Sequence, residues 1–226
     1  MIFSWFEKNN KENFFYKKKN DLLINKLQAS GINNRTILEN IKKIPRELFV
    51  KDFFLKQAYN NIPLPIDCEQ TISQPYIVAY MLSCLKLKKT NKVLEIGTGT
   101  GYQTALLSYL CKKVYTIEIH DKLLKQAKKN ISKLNLKNIQ FQMGDGRDGW
   151  KEKILFDAVI ISAATETIPN KLLESLNDQG SLILPKKYQS GNQRLVLVKK
   201  DKKKYFEKEL CNVRFVNLLN KNFMNS

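Results

Sequence analysis

The sequence predicts an α/β fold: a doubly wound, mostly parallel sheet with an antiparallel edge pair and N-terminal helices. Three observations predict it. From residue 91 onward, short apolar segments alternate with amphipathic ones, the strand–helix repetition that right-handed crossovers produce. The apolar segments are continuous rather than alternating, as strands covered on both faces must be. The first of them, Val93–Ile96, runs directly into glycines at 97, 99 and 101.

Residues 1–20 read as a Lys/Asn-rich extension outside the domain, with aromatic clusters at Phe3–Phe6 and Phe14–Tyr16. Residues 21–226 read as one domain, with helices and a substrate-side loop over 21–74, the core over 75–200, and a C-terminal strand and tail over 201–226. Helical patterns cover 21–29 and 35–43, punctuated by Gly31 and Pro45, and a shorter one lies near 50–58. Residues 59–74 carry Pro63 and Pro65 and read as extended chain. Pro75 opens a helix to about Leu85, since proline suits a first helical turn. Strands are then expected at 93–96, 114–117, 139–142, 156–162 and 181–184, with helices at 102–111, 121–134 and 169–177. Segments 194–198 and 211–215 suit the antiparallel edge pair, with the charged run Lys199–Lys204 as their linker.

Composition narrows the function. The chain has 226 residues, 43% hydrophobic and 27% charged, values of an ordinary globular domain. The net charge of +18 creates a field that attracts anionic partners, nucleic acid included. Its lysines are spread along the chain rather than gathered between aromatics, so no stable nucleic-acid partner is expected. Cys68, Cys84, Cys111 and Cys211 form no CxxC pair, and His120 is the only histidine. No metal site is expected, and single scattered thiols suit a reducing, cytoplasmic setting. No segment approaches the roughly 20 apolar residues that span a bilayer. The expected state is a monomer, since no heptad pattern is evident.

The loop after the first strand carries the chemistry. Gly97, Thr98, Gly99 and Gly101 give GxGxG, one residue short of the dinucleotide spacing GxGxxG, and no Walker sequence occurs. Glycines there let a ligand approach the main chain. Glu118 ends the second strand, where a carboxylate accepts ribose hydroxyls. Glu95, inside the first strand, repels a pyrophosphate and suits an ammonium. Asp145-Gly146 follows the third strand, where an acid accepts from an adenine amine. Glycines and carboxylates without a phosphate clamp select a nucleoside with a cationic amino-acid tail, which is S-adenosyl-L-methionine. The expected fold is therefore the Rossmann-like S-adenosylmethionine-dependent methyltransferase fold. Each acid alone has an ordinary reading: a Lys partner for Glu95, a solvated strand end for Glu118, a plain turn at Asp145.

The acceptor is read by elimination. After the fourth strand stands Ser162-Ala-Ala-Thr165, with no proline pair, no aromatic to stack a flipped base and no cysteine nucleophile. His120 is read as a surface residue on the ribose side. A carboxylate acceptor needs no general base, because it is already ionised at neutral pH. The segment Gln70-Thr-Ile-Ser73-Gln-Pro-Tyr76 precedes a helix start, where hydroxyls and N–H groups can receive a carboxylate. Plain capping of that helix explains Ser73 equally well.

At these residues the chain resembles the protein-L-isoaspartate O-methyltransferase family, bacterial type. The resemblance rests on Ile44-Pro-Arg-Glu-Leu-Phe-Val50, residues 58–65, Gln70 to Ala79, Leu94 to Ala105, Gly144-Asp-Gly146 with Gly149-Trp150, and Val213-Arg-Phe-Val216. It implies methyl transfer to the free carboxylate of isoaspartyl, and some D-aspartyl, residues in damaged proteins, starting repair through a succinimide. By the same resemblance Ser73 is the catalytic residue, and Thr71, Ile72, Val213 and Val216 join it at the substrate. Glu95, Gly97, Thr98, Gly99, Gly101, Glu118, Asp145 and Gly146 bind the cofactor. Ile154-Leu155 and Asn217 depart from the family pattern, the latter at the rim of the peptide site. The alternative reading is a methyltransferase acting on RNA or another substrate drawn to the basic surface.

Overall fold

The computed structural model describes residues 10–220. Seven strands form one sheet: β3 (Lys92–Ile96), β4 (Lys113–Glu118), β5 (Ile139–Met143), β6 (Phe156–Ile161), β7 (Leu176–Lys187), β8 (Gln193–Asp201) and β9 (Lys204–Val213). Their spatial order is β5-β4-β3-β6-β7-β8-β9. The first five are parallel neighbours, and β7–β8 and β8–β9 are antiparallel. After β3 the chain winds outward through β4 and β5, then crosses back to place β6 on the other side of β3. That reversal is the switch point at which open α/β sheets bind ligands.

Among the described residues six helices surround the sheet: α1 (Asn10–Ala29), α2 (Arg35–Lys43), α3 (Pro75–Leu85), α4 (Tyr102–Leu110), α5 (Asp121–Ser132) and α6 (Asn170–Glu174). One core cluster joins apolar residues of α1 to α5, such as Leu27, Ile41, Leu82, Leu106 and Ile131, to one sheet face. The other face packs on Leu172 of α6, Phe156 and the half-buried Trp150. Within β3, β4 and β6 nearly every residue is buried, which is why their sequences are continuously apolar.

Several expectations change. The boundary expected at residue 20 falls inside α1, which runs unbroken from Asn10 to Ala29. Lysines there are good helix formers, and no Gly or Pro interrupts them. Asn20 is buried and donates to the Lys42 carbonyl at 2.8 Å, tying α1 to α2. Residues 1–9, with the first aromatic cluster, lie outside the described residues. The helix expected near 50–58 is a 3-10 helix over Asp52–Gln57. The helix expected at 169–177 stops at Glu174, because β7 begins at Leu176 and pairs with Phe156 before a bulge shifts its register. The lysine run is not a linker. It straddles the β8–β9 turn, with Asp201 paired to Lys204 and Lys202 at φ +54. The last strand therefore starts at Lys204 and ends at Val213.

Between the N-terminal helices and α3 lies a two-stranded hairpin, β1 (Leu64–Pro65) with β2 (Thr71–Ile72). Its turn holds Cys68 and Glu69 at positive φ. Asp67 in that turn pairs with Lys51 at 2.7 Å and with Lys122 of α5 at 3.0 Å. The hairpin is thereby held over the carboxyl end of the sheet.

Candidate active site

A cavity opens at the switch point, walled by the glycine loop after β3, the ends of β4 and β6, and the hairpin. It encloses about 830 Å³, part of it open to solvent. Gly97, Gly99 and Gly101 take φ of +92, +55 and +95, the left-handed region that side chains resist. A Cβ at Gly101 would lie 3.0 Å from Ile131 Cδ1, so this glycine also lets α4 and α5 approach.

Glu118 ends β4 at the cavity wall, 4% exposed. Its Oε2 accepts from Gly99 N at 2.8 Å, and its Oε1 accepts from Ile119 N at 2.9 Å and His120 N at 3.0 Å. Burial pushes its pKa up, while the backbone N–H groups and His120 pull the other way. Thr98 lines the same wall, its hydroxyl 2.7 Å from that of Thr116. Gly146 lines it too, and no larger residue fits: a Cβ there would fall 2.1 Å from Ile96 Cγ2.

Two expected cofactor acids do not face the cavity. Glu95 is fully buried behind the wall, with Thr104 Oγ1 at 2.5 Å, Thr116 Oγ1 at 2.7 Å and Gln103 Nε2 at 3.1 Å. Burial raises its pKa to about 7 against these hydrogen bonds. The alternating strand directions around residue 95 turn its side chain under α4, so its ammonium role is not supported. Gln103 reaches the cavity instead, and its Nε2 also donates to Ser162 Oγ at 2.8 Å. Asp145 turns its carboxylate to the Arg147 guanidinium, 2.7 Å from Nη2, and only its neighbours Gly144 and Gly146 line the cavity.

Thr71, Ile72 and Ser73 line the opposite wall. The N-cap of α3 is Gln74, whose side chain makes no capping hydrogen bond, so Ser73 is not the cap. Asn61 Oδ1 takes the Tyr76 N–H there, at 2.9 Å. Thr71 and Ser73 also line a second opening with Gln74, Ile77, Val213 and Arg214. The two openings meet at these hydroxyls. Val213 lies in the second opening, whereas Val216 lies on the first, its carbonyl accepting from Ala164 N at 2.7 Å.

Sequence reasoning missed Gln103, Ser162 and His120. His120 is not a surface residue: it is half-buried and lines the cavity, with Nε2 buried and unpartnered. Thr100 Oγ1 and Tyr102 Oη, on other lining residues, are likewise buried without partners. A cavity walled by glycines, a carboxylate and unsatisfied polar atoms suits a polar, hydroxyl-bearing ligand better than an apolar one.

A family model for protein-L-isoaspartate (D-aspartate) O-methyltransferase matches residues 17–223. The match thus begins within the N-terminal extension. A protein-L-isoaspartate O-methyltransferase of Parvibaculum lavamentivorans is 44% identical over 199 residues, covering 87% of this chain and 90% of that protein. One from Dictyoglomus turgidum is 46% identical over 205 residues, covering 90% and 92%. A solved protein-L-isoaspartate O-methyltransferase superposes with a TM-score of 0.81 at 29% identity, over 88% of this chain and 65% of that one. A Plasmodium falciparum structure described as a beta-aspartate methyltransferase in complex with S-adenosyl-L-homocysteine shares the fold, with a TM-score of 0.79 at 23% identity over 91% of this chain and 99% of that one.

Proposed function

The chain belongs to the protein-L-isoaspartate (D-aspartate) O-methyltransferase family, and from that premise we propose how its own residues carry the reaction. It is an S-adenosylmethionine-dependent carboxyl methyltransferase acting on isoaspartyl residues of damaged proteins. The observation that carries the site assignment is that Thr71 and Ser73 line both openings at once.

The first opening fits the cofactor. Gly97, Thr98, Gly99 and Gly101 form its cradle, Glu118 receives ribose hydroxyls, and Gly146 leaves room beside Ile96. His120 Nε2 and Thr100 Oγ1 are polar atoms with capacity to spare for it. When bound, the cofactor supplies a sulfonium methyl. Glu95 acts at one remove, orienting Gln103 on the wall. Asp145 caps the 3-10 turn that starts at Gly146, and with Arg147 as its partner it keeps an adenine-amine role only where that pair rearranges.

The second opening takes the peptide, with Thr71, Gln74, Val213 and Arg214 along it. Ser73 presents its hydroxyl to the isoaspartyl carboxylate where the openings meet, and Ile72 backs that segment from the core. The acceptor is already anionic, so the protein moves no proton and needs no base. Its task is alignment and exclusion of water, worth several kcal/mol on general grounds. Val216 backs the cofactor side rather than the peptide.

Among the described residues no helix is long and apolar enough to cross a membrane. All four cysteines are free, and a reducing, cytoplasmic setting remains our reading. Damaged proteins are its partners; a monomer without nucleic acid remains our reading. The RNA alternative keeps only the net charge of +18 in its favour. The test is labelled methyl transfer to an isoaspartyl peptide and to its aspartyl twin. Labelling of the first alone supports the assignment, and equal labelling of both, or labelling of RNA alone, refutes it.

A further inference from the structure

Arg46, in the Ile44–Val50 motif, heads the fully buried side chains and is 0% exposed. Its Nη1 donates to the Ala58 carbonyl at 2.5 Å and its Nη2 to the Ser73 carbonyl at 2.9 Å. Its Cζ lies 5.5 Å from the ring centre of Tyr102, the first residue of α4 after the glycine loop. Its Nε is buried without a partner. Among the described residues no carboxylate pairs with it: neighbouring Glu47 instead accepts from the Tyr59 hydroxyl. Burial lowers its pKa only to about 10, so it stays cationic at neutral pH.

An unpaired buried cation is costly, and folds rarely retain one without use. This one sits directly behind Ser73, where the two openings meet. We propose that Arg46 is a positioning residue for the acceptor: hydrogen-bonded to the Ser73 carbonyl, it serves as the buried counter-charge that draws the substrate carboxylate to Ser73. The inference rests on the reading that Ser73 receives that carboxylate.

The charge balance of the reaction says where the effect must show. An acceptor oxygen forms a bond to the methyl carbon, the carbon–sulfur bond breaks, and its electron pair returns to sulfur. An anion and a cation become a neutral ester and a neutral thioether. A fixed positive charge therefore favours the bound carboxylate over the transition state, in which that charge is fading. Its loss weakens peptide binding rather than slowing the chemical step.

The test compares Arg46→Gln with Arg46→Lys, which keeps the charge. In Arg46→Gln the isoaspartyl-peptide KM should rise about tenfold or more, with kcat and S-adenosylhomocysteine affinity within about threefold of wild type. Arg46→Lys should recover most of the KM. Equal KM losses in both variants, or a loss spread over kcat and cofactor affinity, would mean packing alone and overturn the proposal. A second measurement needs no variant. A buried charge is poorly screened, so the wild-type peptide KM should change less than about threefold between about 0.05 M and about 0.5 M salt. A tenfold rise would assign the attraction to surface lysines and overturn it equally. Wild-type enzyme inert on isoaspartyl peptide would instead remove the functional reading, and this proposal with it.

Discussion

The Glu118 carboxylate accepts the backbone N–H of Gly99 at 2.8 Å, so the end of one strand fixes the turn that follows its neighbour. Glu118 also collects the N–H groups of Ile119 and His120 and lines the cavity. One side chain thus holds the glycine loop in shape and lines the cavity, where we read it as an acceptor for the ligand. Glu118→Gln keeps the size but turns a donor toward backbone donors. It should weaken S-adenosylhomocysteine binding by about tenfold to a hundredfold, the worth of a charged hydrogen bond. Isothermal calorimetry reads this directly, and an unchanged affinity would remove Glu118 from the cofactor site.

Gly146 and Ile96 make a steric prediction. A Cβ at residue 146 would lie 2.1 Å from Ile96 Cγ2 and 3.3 Å from its Cβ. Gly146→Ala should cost about 1–3 kcal/mol of stability by overpacking. Combining it with Ile96→Ala should cost less than the sum of the two single changes, because the clashing methyl is gone. Thermal or urea unfolding of the four proteins checks this. Strict additivity would show that the loop absorbs the methyl elsewhere.

Glu95 predicts a pH dependence. Its pKa is raised to about 7 in the folded state by burial, against about 4.3 for a free side chain. The folded state therefore holds more protons than the unfolded state between these values. The stabilising contribution is complete below about pH 4 and is lost as pH rises through about 7, on the order of 4 kcal/mol in all. Glu95→Gln should remove that decline. Stability measured from pH 5 to pH 8 in both proteins tests it, and parallel curves would contradict a raised Glu95 pKa.

Much of this was legible in the sequence. The continuous apolar runs announced strands covered on both faces, and the glycines and Glu118 that the sequence singled out line one cavity. Other features were hidden for identifiable reasons. In a strand buried on both sides, residue type does not tell which face borders the cavity, so Glu95 read as a ligand contact although its carboxylate lies under Thr104 and Thr116. The β8–β9 turn carries Lys202 at positive φ where Asn or Gly is usual, so nothing in its composition signalled a two-residue hairpin. Arg46 stood inside a short motif, with nothing in the sequence to mark it as buried. Only its burial and its bond to the Ser73 carbonyl show its place. His120 was hidden because half-burial at a strand end leaves no periodicity.

The sharpest measurement is a paired one on Ser73→Ala: turnover of an isoaspartyl peptide and affinity for S-adenosylhomocysteine. With Ser73 lining both openings, turnover should fall about tenfold to a hundredfold while cofactor affinity stays within about twofold. Lost cofactor affinity with turnover preserved at saturating cofactor would place Ser73 in the nucleoside site and contradict the account.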